Sequence, residues 1–152
     1  EPACFCGAGL GAGHFVRLSV TADLGGFDVN IYDLDNAAQV TVEAVRLSNY
    51  TQAGDVLISP DGSFAVYALS QVAAFGTEEQ SVQTVFMLLD LQAQTQRALS
   101  EPVTTYVHPV AWTEDNAAIL FTSPQATGTW KIDLASGDLV QVATGTYLGQ
   151  LH

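Results

Sequence analysis

Basic side chains are nearly missing from this sequence: Arg17, Arg46, Arg97 and Lys131 stand against sixteen acidic residues, for a net charge of −12. A nucleic-acid backbone is bound by clustered lysine and arginine that displace condensed counterions, so that function class is excluded. Anionic membrane surfaces are disfavoured for the same reason. No apolar run approaches the roughly 20 residues that cross a bilayer. Glu1-Pro2-Ala3 has neither the basic start nor the apolar stretch of a signal peptide, and reads as a processed or truncated end. No Gly-x-Ser-x-Gly elbow is present. His14, His108 and His152 are widely spaced, and no serine or cysteine sits in a telling nucleophilic context, so a catalytic triad finds no support.

Cysteine is almost as scarce. Cys4 and Cys6 flank Phe5, and in an extended chain their Cα atoms lie roughly 6.5–7 Å apart, at or beyond the reach of a disulfide. A bridge between them would be strained. Together with His14 they form a possible metal set, without the second paired-ligand motif that makes a zinc site specific. Free thiols, or bonds to a missing part of the parent protein, are the alternatives, and no metal site is assigned. Ala3-Cys4 lacks the apolar residues that precede a lipidated cysteine. Residues 7–13, Gly-Ala-Gly-Leu-Gly-Ala-Gly, are glycine-rich, but a phosphate loop needs a strand before it and a helix after it. The next residues, His14-Phe15-Val16-Arg17-Leu18-Ser19-Val20, have a β pattern instead, so residues 1–13 read as an N-terminal arm.

The chain does contain a repeat. Residues 57–91 and 110–134 each show an apolar strand, an acidic turn, an alternating strand, a variable loop and a strand closing on Asp-Leu, and an incomplete copy ends at Asp33-Leu34. Period-two alternation with turn residues at each break predicts an all-β chain with strands near 14–21, 28–34, 39–45, 55–58, 64–70, 83–90, 96–99, 109–112, 117–122, 128–133 and 138–143. Registered against each other, Trp112 follows Ser59 by 53 residues and Asp133 follows Asp90 by 43, with the difference in the loop at 71–82. Repeats of ~40–50 residues with four strands are the blades of a β-propeller. The expected organisation is a partial propeller over 14–152, with blades near 14–46, 55–100 and 109–143 and an extra strand at 146–151. The first blade shows no inner strand in the sequence. Val56, Ile58, Val66, Leu88, Val110, Trp112, Ile119 and Phe121 are the expected residues between blades.

Trp112-Thr113-Glu114-Asp115-Asn116 before Ala118-Ile119-Leu120-Phe121, and Ser59-Pro60-Asp61-Gly62-Ser63 before Ala65-Val66-Tyr67, resemble the W-S-P-D-G-x-x-I-A-F repeat of TolB-like and WD40-like propellers. Ile132-Asp133-Leu134-Ala135-Ser136-Gly137 is similar to the I-x-x-x-D-L-x-T-G half of that repeat. The likeness covers 55–143 well and 14–54 loosely. One copy lacks the Trp and the other lacks Pro and Gly. The resemblance implies propellers of six or more blades that serve as interaction platforms in the bacterial envelope or as gating domains of serine peptidases.

Asp23, Asp28, Asp33 and Asp35 are a conceivable calcium set, but off the spacing of a calcium loop, and aspartate at turns ordinarily caps backbone N–H groups. Asp61, Asp90, Asp115 and Asp133 recur at equivalent repeat positions, where a structural role is simpler than paired-carboxylate catalysis. In a propeller the inter-blade connectors and the loops between second and third strands share one face, which would gather Tyr50, Phe75, Tyr106, His108 and Tyr147 with Glu78 and Glu79 into a binding surface. Packing between blades is the alternative for Tyr50 and Tyr106. These features point to a non-catalytic interaction or assembly module of an extracytoplasmic bacterial propeller protein, without cofactor. A saccharide- or peptide-binding or hydrolytic propeller is the second reading. Two and three-quarter blades would leave open edges and an apolar face at each end, so association is expected, through a second copy in a six-bladed ring, another part or subunit, or a filament.

Overall fold

A computed structural model describes residues 7–23, 26–45, 50, 52–54 and 56–147. Cys4, Cys6 and most of the 146–151 segment lie outside the described residues. Among the described residues there is no helix, and thirteen strands form three antiparallel sheets. The chain is all-β. The first sheet holds β1 (Ala8–Gly11), β2 (His14–Val20), β3 (Phe27–Asp33) and β4 (Ala38–Val45) in that order. In the second, β5 (Gln52–Ala53) and β6 (Leu57–Ile58) share the inner position beside β7 (Phe64–Ala73), β8 (Ser81–Asp90) and β9 (Thr95–Ala98). The third holds β10 (His108–Trp112), β11 (Ala118–Ser123), β12 (Ala126–Asp133) and β13 (Leu139–Ala143).

The expected arm is corrected at residues 8–11, which are the inner strand of the first blade: Leu10 pairs with Phe15 and Gly11 with His14 across a two-residue turn. Ala12 and Gly13 take φ of 47° and 75° there, as a tight hairpin with the strands' own twist requires. The blades therefore number three complete ones. Glycine is needed at position 9 because the inner strands of blades one and two almost touch. The Val56 N–H donates to the Ala8 carbonyl at 3.2 Å, and a Cβ on Gly9 would sit 2.0 Å from the Val56 carbonyl oxygen.

The repeat register also shifts by one residue. Ser59 and Thr113 fill the same role, each donating its hydroxyl to the turn aspartate two residues on, at 2.7 Å to Asp61 and 2.6 Å to Asp115. Each hydroxyl also accepts the N–H five residues on, from Phe64 at 3.0 Å and Ala118 at 3.1 Å. Trp112 thus corresponds to Ile58, not to Ser59. The inner strands carry a matching bulge: Ala53 pairs with Leu69 but Leu57 with Val66, and Pro109 pairs with Phe121 but Ala111 with Leu120. Of the inner strand expected at 55–58, Leu57–Ile58 forms β6, Val56 precedes it, and Asp55 lies outside the described residues.

Blade two is covered on both faces. Ala65, Tyr67, Leu69, Val85, Met87 and Leu89 pack with Val16, Leu18, Val29 and Ile31 of blade one. The alternate residues Val66, Ala68, Phe86 and Leu88 pack with Ile119, Phe121 and Ile132 of blade three. Sheets buried on both faces read as continuous apolar runs, and Ala65 through Leu69 are all buried. Of the expected inter-blade residues, Val56, Val66, Leu88, Ile119 and Phe121 are buried, while Ile58, Val110 and Trp112 are half-buried. The Trp112 indole donates to the Leu57 carbonyl at 3.0 Å, tying the inner strands of blades two and three. Burial raises the Tyr67 phenol above its ordinary range, and its hydroxyl donates to Gln96.

Gly9→Ala should separate the first two inner strands and destabilise the chain by about 1–3 kcal/mol, as overpacking does. Gly145→Ala, where a new Cβ meets open space, should change stability by less than about 0.5 kcal/mol. Urea unfolding of both variants checks this; equal midpoints for Gly9→Ala and wild type would place residues 8–11 off the inner strand.

Candidate interaction surface

Antiparallel order fixes two rims. The hairpins β1–β2, β3–β4 and their counterparts turn on one rim. The β2–β3, β7–β8 and β11–β12 hairpins and the inter-blade connectors lie on the other. On the connector rim the middle blade stands out, because β7 and β8 each run ten residues against seven in β2 and β3. Their hairpin tip presents Phe75, 82% exposed, beside Glu78 and Glu79, also exposed.

That tip is held by its own hydrogen bonds. The Thr77 N–H and hydroxyl donate to the Ala74 carbonyl at 3.1 and 2.7 Å, and the Gly76 N–H donates to Gln80 Oε1 at 2.9 Å. Below it, Gln71 donates to Gln83 at 2.6 Å and the Ser70 and Thr84 hydroxyls meet at 3.0 Å. A rigid aromatic residue loses little rotamer entropy when it is buried by a partner.

The other expected site residues sit lower. Tyr50 packs against the cluster between blades one and two, and partial burial raises its phenol pKa. Tyr106 is half-buried, with its N–H donating to Gln125 Oε1 at 3.4 Å, and Thr105 donates to the same oxygen. His108 is exposed at the start of β10. The Tyr147 N–H donates to the Thr129 hydroxyl at 2.8 Å. The ring pairs among the described residues are Phe15–Tyr32, Phe86–Phe121 and Phe121–Trp130, and none involves these five. The five share the connector rim by topology. Thr84 and Thr129 were not legible as functional. Thr84 donates its hydroxyl to the Thr105 carbonyl at 2.8 Å, fixing the connector into blade three, and Thr129 donates to Gly145 at 2.8 Å, fixing the connector that leaves it.

The turn rim carries the recurrent aspartates, each occupied by its own turn. Asp33 Oδ1 accepts the N–H groups of Asp35 and Asn36 at 3.0 and 3.1 Å, and Asp133 Oδ1 those of Ala135 and Ser136 at 2.9 and 3.0 Å. Asp90 accepts from Gln92 and Ala93 in the same way. The Asn36 side-chain amide, ahead of the backbone donors, holds the Asp33 carboxyl below its ordinary pKa; backbone N–H donors do so at Asp61 and Asp133, and the Thr113 hydroxyl at Asp115. These carboxylates are turn caps. Among the described residues no group of three or more His, Cys, Asp and Glu is placed to hold a metal ion.

The described residues form clefts open to solvent. One of about 400 Å³ lies on the turn rim between blades two and three, with Phe64, Leu88 and Leu134 on its apolar side and Asp90, Arg97 and Asn116 on its polar side. The Arg97 guanidinium donates to the Leu134 carbonyl at 3.2 Å. A second, of about 350 Å³, lies beside the β11–β12 hairpin at Ser123–Thr127 and Thr146.

No family model and no curated protein matches the chain. Solved propellers do. TolB from Acinetobacter baumannii is 15% identical, with a TM-score of 0.53 over 91% of this chain and 30% of its own. The β-propeller domain of the trilobed protease from Pyrococcus furiosus, described as having an open velcro topology, is 16% identical with a TM-score of 0.55, over 94% of this chain and 44% of its own. A prolyl endopeptidase is 13% identical, with a TM-score of 0.58 over 94% of this chain and 23% of its own. At these identities the likeness shows fold alone: the chain is a partial β-propeller, spanning less than half the length of each of these proteins. No helix of the described residues is long and apolar enough to cross a membrane.

The depressed turn carboxyls set a pH dependence. A group whose folded pKa lies below its unfolded value stabilises the fold above the unfolded pKa, and that stability is lost as pH falls through the folded pKa. Asp115→Asn should therefore melt below wild type at pH 7, and the two should converge as pH falls through the lowered folded pKa of Asp115, below which both side chains are neutral. A gap of constant size from pH 7 down through the acid range would mean that Asp115 acts through shape and not charge.

Proposed function

We propose that this partial propeller is a non-catalytic interaction module whose connector rim docks a protein partner and whose open ring another protein surface completes. The carrying observation is Phe75, held 82% exposed on a hydrogen-bonded hairpin that projects from the middle blade. Exposed, rigid aromatics of this kind serve as anchors at protein interfaces. Tyr50, Tyr106, His108 and Tyr147 extend the same rim as lesser contacts, and Glu78 and Glu79 favour a partner with a basic border. The acidic, lysine-poor composition and the resemblance to TolB-like repeats support an extracytoplasmic setting.

The propeller neighbours include both TolB and peptidases, so the fold alone leaves the hydrolytic or saccharide-binding reading as the alternative. The turn-cap duty of Asp61, Asp115 and Asp133 speaks against it, since those carboxylates are engaged by backbone donors. Affinity capture with the full chain from extracts of its native source should recover a protein whose yield falls at least about tenfold with Phe75→Ala, as for loss of an interface anchor. Unchanged capture by Phe75→Ala, or calcium-dependent binding in a saccharide screen, would contradict the proposal.

A further inference from the structure

The three blades can be compared position by position, because each pairs its second and third strands in the same register: His14 with Asp33, Phe64 with Asp90, Ala118 with Asp133. Counted from those pairs, one face of each blade points back along the stack and the other points forward. On the back face, Tyr67 and Met87 of blade two correspond to Phe121 and Trp130 of blade three. Both pairs pack into an inter-blade core. On blade one the same two positions are Arg17 and Asn30, and Asp28 stands where blade two has the buried Val85. On the forward face, Ile31 and Leu88 are buried in the two cores, and on blade three their position is Lys131.

Polar residues thus replace apolar ones at these positions of the two end faces, while the back face of blade one keeps the Phe15–Tyr32 ring pair, 5.6 Å between centroids, in the row where blade two has Ala65 and Leu89. The apolar face expected at each end is mixed on blade one: Leu10, 72% exposed, lies beside Phe15 and Tyr32, whereas Arg17 is exposed and Asn30 accepts the Thr41 hydroxyl at 2.8 Å. Blade three keeps Leu120 half-buried and Val140 exposed in the row that contains Lys131. At both existing joints the forward position and the back position share one cluster: Ile31 with Tyr67, and Leu88 with Phe121. If a second copy stacked blade one onto blade three in this geometry, Lys131 would be brought into one core with Arg17. Asp28 lies one row further along the same face. The charge of Lys131 is the least of the causes that hold the Asp115 and Asp133 carboxyls of its own blade below their ordinary pKa. Two like charges withdrawn from water oppose such a joint, whereas an opposite charge fits it.

We propose that the surface completing this propeller is a β-sheet face that sets a carboxylate against Arg17 on one side and against Lys131 on the other, and therefore is not a second copy of the chain. This rests on the reading of the open ring as completed by a partner. Four of the chain's residues carry positive charge at neutral pH, and two of the four mark the two open faces. Like-charge placement of this kind selects against a wrong partner as well as for a right one.

Sedimentation equilibrium of the 152-residue chain at micromolar concentration tests the inference. Wild type should sediment at its 16.1 kDa monomer mass. Arg17→Glu, a change at an exposed position, sets a carboxylate against Lys131 of another copy and should double the sedimenting mass. Arg17→Glu/Lys131→Gln removes that pairing and should return the mass to the monomer, with circular dichroism confirming that each variant is folded. A wild-type dimer would overturn the proposal while leaving completion by a partner intact. If Arg17→Glu also stays monomeric, charge is not what bars self-closure, and stacking on these end faces falls with it.

Discussion

Burial of both faces of the middle sheet is the constraint on which the rest of this structure depends. A four-stranded sheet of this size cannot hide its apolar side chains alone, and blade two carries them on every position from Ala65 to Leu69 and from Val85 to Leu89. It needs a sheet on each side. Blades one and three supply these, and the two inter-blade cores account for nearly all of the buried apolar residues. The close approach of the inner strands follows from the same requirement, since sheets radiating from an axis converge at their inner edge. Gly9 opposite Val56 and the Trp112–Leu57 hydrogen bond both belong to that convergence.

Much of this was legible in the sequence because propeller blades repeat both turn chemistry and strand alternation. The Ser59-Pro60-Asp61-Gly62 and Thr113-Glu114-Asp115-Asn116 turns hold their aspartates by the same bonds, and Gly62 and Asn116 share a positive φ of 75° and 59°. The first blade's inner strand stayed hidden. Its turn has two residues, Ala12 and Gly13, where the others have more, so the repeat motif has no room to appear. The strand itself is glycine-rich, since a close backbone neighbour excludes side chains, and glycine reads as linker when no neighbour is visible. Aligning Trp112 with Ser59 is off by one residue because it matches tryptophan to the residue before proline and not to the end of the inner strand.

The candidate surface was legible only as a set of connector positions. Topology follows from strand order, so Tyr50, Phe75, Tyr106, His108 and Tyr147 belong on one rim whatever the details. Height above that rim depends on strand length, and only the structure shows that β7 and β8 outreach their neighbours and lift Phe75 away from the tyrosines. The polarity of the end faces was hidden for a different reason. Arg17 and Lys131 look like ordinary outward residues of alternating strands until register places them at core positions of the other blades.

The claim that three complete blades stack from residue 8 onward is tested most directly by amide hydrogen exchange at Leu18 and Val56. Their N–H groups donate to the carbonyls of Gly7 and Ala8, at 2.8 and 3.2 Å, and those acceptors exist only if the glycine-rich segment is the first inner strand. Both amides should be protected to nearly the same degree as the core amides of β7 and β8. Rapid exchange at Leu18 and Val56, with β7 and β8 still protected, would contradict the three-blade architecture.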